Sequence, residues 1–222
     1  MIRRVQYQIN FAHILTFSVE YRRIFAPYFG FENIQYGIER ENTHNEGIRL
    51  IFKSEHYGFV ANKEGITMIY EGNPDDLKNA NGTVRHFWEI YDKIRAMTGY
   101  TRTTRHHITI DTVEITDAQM ASSMQNDYLK INPFGQLNEF ACVYEFHKDD
   151  ASYKLQVGNF SDRDIQIRDL MPFQTSWNAD LIDGKGHTAR LEITEEDKSP
   201  TYGKFKSMLA KSESIFEKFN LK

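Results

Sequence analysis

The chain has 222 residues, 40% hydrophobic, 26% charged and 14% aromatic, and 31 acidic against 27 basic side chains give a formal net charge of −4. That balance supplies no basic field, so nonspecific nucleic-acid binding is not expected; no stretch approaches 18 apolar residues, so neither is a membrane span; and the single cysteine, Cys142, cannot close an internal disulfide. A chain of this length buries about 70–75% of the surface it exposes when unfolded, enough for a full core in one cytoplasmic domain over 1–222.

The first segment has the cleanest period. Val5, Tyr7, Ile9, Phe11, His13, Leu15, Phe17, Val19 and Tyr21 alternate with mostly polar neighbours, which is the pattern of a strand with one buried face. Seventeen residues exceed ordinary strand length, so a bend, bulge or break is expected near Asn10 to His13, with Val19 to Phe25 able to turn helical. Pro27 to Gly47, rich in Gly and Asn, reads as a flexible loop. Ile48 to Lys53, Tyr57 to Asn62 and Ile66 to Glu71 follow at hairpin spacing as an antiparallel meander.

After Asn81-Gly82-Thr83 the period changes. Val84, Phe87, Trp88, Tyr91 and Ile94 recur at three and four, which marks one face of a helix, with Gly99 placed as its C-terminal cap. A strand is expected from about Thr101 to Thr116 and a short helix from Ala118 to Leu129, before Asn132-Pro133-Phe134-Gly135 breaks the chain. The order then recurs: strands at Phe140 to His147 and Tyr153 to Val157, further short strands at Ile165 to Ile167, Ala179 to Ile182 and Thr188 to Ile193, and a last helix. Ser199-Pro200 is read as opening that helix, and Tyr202, Phe205, Leu209, Ser212, Phe216 and Phe219 form its apolar stripe. The expected fold class is therefore α+β: two pseudo-repeated antiparallel meander-plus-helix halves, 1–131 and 132–222, each helix packed on a sheet face.

The motifs have plain explanations. Asp183-Gly184-Lys185-Gly186-His187 joins two strand-like runs, so it reads as a hairpin turn and not as a phosphate loop, which must open a helix. Cys142 lies in an alternating apolar stretch and reads as a buried, inert thiol. No histidine pair has metal-ligand spacing on a helix and no Gly-x-Ser-x-Gly element occurs, so no metal, no cofactor and no catalytic residue is nominated.

Six residues are singled out as ligand contacts. His13 is the one polar residue on the apolar face of the first strand, where an unpaired imidazole would cost about 1–3 kcal/mol and must find a partner or line a cavity. Alternation puts His106 on the face of Ile108 and Ile110, and His107 beside Arg105 on the other. Arg105 with His107 would make an anion site, His106 a general base made more acidic by burial, against the plainer reading of a polar edge and a hydrogen-bonded core histidine. Trp88 and Tyr91 would line a pocket with Phe11 and Phe216.

Tyr57-Gly58-Phe59-Val60-Ala61-Asn62-Lys63-Glu64-Gly65-Ile66, the Phe87-Trp88 helix, the strand from Arg105 to Ile115 and the closing Leu191-Glu192-Ile193 strand with the Phe205 to Phe219 helix together resemble a widespread group of uncharacterised bacterial proteins with two related α+β halves. The likeness covers most of the chain, although this chain's ending is shorter than the group's, and it implies a fold and no chemistry. Three functions follow as expectations. The first is a non-enzymatic binding or assembly module for a protein or small-molecule partner, using an aromatic-rich sheet face or edge, with a homodimer as one form of it. The second is a small-molecule pocket between the last helix and a curved sheet; the third is a hydrolase or nuclease acting through His106 or His107.

Overall fold

The alternation of the first segment produces β1 (Ile2–Phe11), which stops where expected: its pairing slips between Asn10 and Phe11, and the chain then turns into α1 (Phe17–Phe25). A computed structural model describes residues 2–14, 17–43, 46–115, 141–160, 186–196, 198–219 and 221. After α1 come β2 (Ile34–Glu39), β3 (Gly47–Phe52), β4 (Tyr57–Asn62), β5 (Gly65–Glu71), α2 (Arg85–Arg95) and β6 (Thr103–Ile115). Then follow β7 (Ala141–Lys148), β8 (Ala151–Phe160), β9 (Gly186–Glu195) and α3 (Tyr202–Lys218). All nine described strands join one antiparallel sheet in the order β2-β3-β4-β5-β1-β6-β9-β8-β7.

Register explains how one sheet makes one core. Tyr36, Leu50, Phe59, Met68, Tyr7, Ile108, Ile193, Tyr153 and Phe146 are successive cross-strand partners, an apolar row running from edge to edge. Because residues directly opposite in a ladder share a face, the neighbouring positions two along give parallel rows, and the helices cover them. Tyr21 and Phe25 of α1, Phe87, Ile90, Tyr91 and Ile94 of α2, and Phe205, Met208, Leu209 and Phe216 of α3 are buried in the same cluster. Each buried phenylalanine is worth up to about 3 kcal/mol, so α3 is part of the fold's foundation.

The opposite face is polar. Along β1 and β6 it carries Arg4, Gln6 and Gln8 beside Asp111, Thr109 and His107. Arg190 of β9 donates from Nε to Asp111 Oδ1 at 2.7 Å, while the Arg4 guanidinium lies buried beside Asp111 and Glu71. Burial lowers the Arg4 pKa from its ordinary value, and the two carboxylates work in the opposite direction.

Several expectations are corrected. Pro27 to Gly47 is not all loop, for it contains β2, whose Ile34, Tyr36 and Ile38 alternate with Gln35, Gly37 and Glu39. The α2 helix ends at Arg95, capped by Ala96, three residues before Gly99. Thr201, rather than Ser199, caps α3, its Oγ1 accepting from the Lys204 N–H at 3.2 Å. Cys142 is half-buried, because β7 is an edge strand with cover on one side. The sheet is continuous, with β1 and β6 adjacent at its centre, so the halves do not form separate layers. The expected helix from 118 to 129, the 132–135 break, the strands at 165–167 and 179–182, and 183–185 of the glycine turn lie outside the described residues.

Candidate functional site

Of the six singled-out residues, five fall into two separate settings and His13 into neither. The expectation of a buried His13 does not hold: β1 ends at Phe11, and the Ala12 N–H turns to the Arg102 carbonyl at 3.0 Å. His13 stands exposed beyond the strand. An exposed imidazole meets water and needs no internal partner.

The helix-side setting is built around Tyr7. His106, fully buried, shares a 3.1 Å hydrogen bond between its Nδ1 and the Tyr7 hydroxyl, and the two rings meet edge to face. Burial pushes the Tyr7 phenol well above its ordinary pKa, with Tyr91 and Glu195 adding to the rise. Trp88 packs on Tyr7 at 5.8 Å, on Tyr91 at 6.0 Å and on Phe205 at 6.3 Å between ring centroids. Its buried Nε1 has no hydrogen-bond partner among the described residues. Tyr91 shares a hydrogen bond with Thr103 Oγ1 at 2.9 Å, as does Tyr100 at 2.7 Å. Glu195, the cross-strand partner of His106, pairs with Lys211 of α3 at 3.0 Å. These aromatic side chains fill the layer between sheet and helices.

The polar-face setting holds Arg105 and His107. Arg105 is exposed, and its guanidinium donates to Glu192 Oε1 at 2.6 Å and to Thr194 Oγ1 at 2.9 Å, so the charge that an anion would need is already taken by a carboxylate. His107 stands opposite Gln8 and Thr194, and its buried Nδ1 has no hydrogen-bond partner among the described residues; burial, then Arg105, lowers its pKa. His106 and His107 point to opposite faces, as alternation requires, and cannot serve one reacting atom. Among the described residues no cluster of three or more His, Cys, Asp or Glu side chains is arranged for a metal ion, and no helix is long and apolar enough to cross a membrane.

A third setting was missed in the sequence because its strand was read as loop. At the β2 end of the sheet, Tyr36 is 51% exposed and Phe31 56% exposed, and Tyr36 stacks on Phe29 with centroids 4.4 Å apart and planes 26° from parallel. Ile34 and Ile38 flank Tyr36 on the same face, half-buried. The Lys53 N–H donates to the Asn33 carbonyl at 3.1 Å, and from that bond the ladder's alternation directs the odd residues of β2 inward to β3. The backbone groups of Ile34, Tyr36 and Ile38 therefore face outward, where β2 has no neighbouring strand among the described residues. The Ile34 N–H is already used by the Phe31 carbonyl at 3.0 Å, which leaves the Ile34 carbonyl and both groups of Tyr36 and Ile38.

The other edge is guarded. The Glu196 N–H bond to the Asp150 carbonyl fixes the phase of β8, and through it the outward residues of β7 are Val143, Glu145 and His147. Glu145 is paired with Lys154 at 3.0 Å, and Lys148 closes the strand. Charge on an edge is the usual defence against unwanted strand addition, and β2 carries none on its outward residues. Comparison of the chain with protein-family models, with curated proteins and with solved structures finds no match in any of the three.

Proposed function

We propose that this protein is a non-enzymatic binding or assembly module whose contact surface is the β2 edge of its sheet. The observation that carries the reading is the coincidence of an uncharged strand edge, unpaired among the described residues, with an exposed aromatic fringe, Phe31 and Tyr36, where most other large aromatics of the described residues are buried or half-buried. Outward N–H and C=O groups give a partner strand its affinity, and side chains beside them give it selectivity. The two histidine settings favour structure over catalysis: His106 is spent on Tyr7, and Arg105 on Glu192. A duplicated plan would belong to the same reading: a central strand, a meander returning inward from an edge and a closing helix can be read as β1, β2–β5 and α2 and again as β6, β7–β9 and α3, with α1 as an addition to the first unit, so the second unit would open at β6.

The test is site-specific photo-crosslinking in cells. With p-benzoylphenylalanine replacing Phe31, a discrete adduct is expected, and it should disappear when Ile38→Pro removes one outward N–H. The same group at exposed Glu64 serves as control. Absence of any adduct from position 31, or an equal yield from position 64, would end the proposal.

A further inference from the structure

We infer that the β2 edge pairs with β2 of a second copy of this chain, about a twofold axis through Tyr36, joining two nine-stranded sheets into one. The inference rests on β2 being the contact surface and adds the occupant and its register.

Backbone chemistry restricts the choices first. An isologous antiparallel contact sets residue i of one copy against residue j of the other with i + j constant, and outward-facing residues must meet outward-facing residues. With Tyr36 opposite Tyr36, the Tyr36 N–H of each copy donates to the Tyr36 carbonyl of the other, and each Ile38 N–H donates to the free Ile34 carbonyl across the axis. That makes four new bonds, and none of them draws on the Ile34 N–H already held by the Phe31 carbonyl.

Side chains then select among the registers the backbone permits. Ile34-Gln35-Tyr36-Gly37-Ile38 is palindromic in its outward face, so Ile34 meets Ile38 twice and the two Tyr36 rings meet at the axis, each backed by its own Phe29. The same register sets Asn33 against Glu39, and just past the strand, where the chain turns away at Arg40 (φ 50°), it brings Glu32 of one copy to the end at which the other presents Arg40, so opposite charges become neighbours and like charges do not. Both Glu32 and Arg40 are exposed. A shift of two residues either way sets Ile34 against Arg40, or Glu32 against Ile38, and loses both pairings. The edge strand is six residues long, so the contact is small and the association should depend on concentration.

Engineered cysteines read the register directly in the full chain with Cys142→Ser. Disulfides form across close, non-hydrogen-bonded pairs, and in this register Gln35 lies opposite Gly37. A cysteine fits at 37, since an added Cβ meets nothing nearer than Arg49 Nη2 at 3.7 Å. Mild oxidation of Gln35→Cys mixed with Gly37→Cys should give the heterodimer as the main product by intact mass, with each variant alone giving little. A homodimer of Gln35→Cys or of Gly37→Cys as the main product would overturn the register.

Sedimentation of the unmodified chain should show a monomer–dimer equilibrium. Glu32→Arg should weaken it at least tenfold, and adding Arg40→Glu should restore it. A monomer up to the solubility limit, or no rescue by the double exchange, would overturn the pairing. If the chain stays monomeric while position 31 still crosslinks to another protein, the self-pairing fails and the binding surface stands; if neither occurs, both fail.

Discussion

His106 and Tyr7 allow the assignment of a core histidine to be tested by energy rather than by activity. Their hydrogen bond spans 3.1 Å in a fully buried setting, with Ile9 and Ile66 in the cross-strand row of His106 and Met68 and Ile108 in that of Tyr7. Tyr7→Phe keeps the ring contacts with Phe87, Trp88 and Phe205 and removes the hydroxyl from His106. Withdrawing one partner of a buried pair costs about 1–3 kcal/mol. His106→Leu keeps much of the volume and leaves the Tyr7 hydroxyl without its partner, at a cost in the same range of about 1–3 kcal/mol. The double variant removes both polar groups and should cost less than the sum, with a coupling of about 1–2 kcal/mol. For a chain of this size each kcal/mol moves Tm by about 2–4 °C, so each single change should lower it by about 2–12 °C. Urea unfolding of the four proteins closes the cycle. Additive effects, or single variants as stable as the parent, would refute the reasoning, and loss of an activity at unchanged stability would favour a catalytic histidine.

Two further outcomes follow from packing and charge. Phe205 is fully buried against Tyr7, Trp88 and Tyr202, so Phe205→Ala should cost about 3–5 kcal/mol in urea unfolding, and a loss under 1 kcal/mol would mean α3 is not anchored there. Glu46, its side chain inaccessible, accepts two bonds from Arg22 at 3.0 and 2.8 Å and one from the Asn42 N–H at 2.8 Å; the Arg22 hydrogen bond holds its carboxyl below the ordinary value. A depressed carboxyl pKa contributes stability above the unfolded value that is lost as pH falls through the folded one. Glu46→Gln should therefore be less stable than the parent at neutral pH, with the difference shrinking below the carboxylate range; a gap that stays constant with pH would rule out the ion pair as its source.

Period-two alternation was the most informative signal in the chain, and it misled where it outran the backbone. It located β1, β3, β4, β5 and β6 and set His106 and His107 on opposite faces, because each of those strands turns most of its large apolar side chains to the helix-covered face. It carried His13 onto an apolar face that stops at Phe11, since hydrophobic pattern does not record where a ladder loses its partner. Ile34 to Ile38 alternates too, but glycines at 30, 37 and 47 obscured five residues of strand. The Arg190 to Asp111 pair and the Arg22 to Glu46 pair join residues 79 and 24 apart; the β6–β9 register brings the first together and the packing of α1 against the start of β3 the second, and neither is written in local pattern.

The aromatic surplus is explained mainly by the breadth of the sheet. The nine described strands at about 4.8 Å spacing span about 38 Å, whereas the three described helices side by side, each about 10 Å across, cover about 30 Å. The shortfall falls on the outer strands. At the β7 end, Phe219 beyond α3 reaches Tyr144 at 5.3 Å and Phe146 stacks on Tyr153 at 4.8 Å, so local contacts make up part of the missing cover. At the β2 end Tyr36 has Phe29 beneath it and half its surface in water. Twenty-eight phenylalanines and tyrosines therefore say little about binding by their number, since most large ones line the core. Among the described residues, what distinguishes the β2 edge is that helix cover runs out there beside backbone groups that still lack a strand.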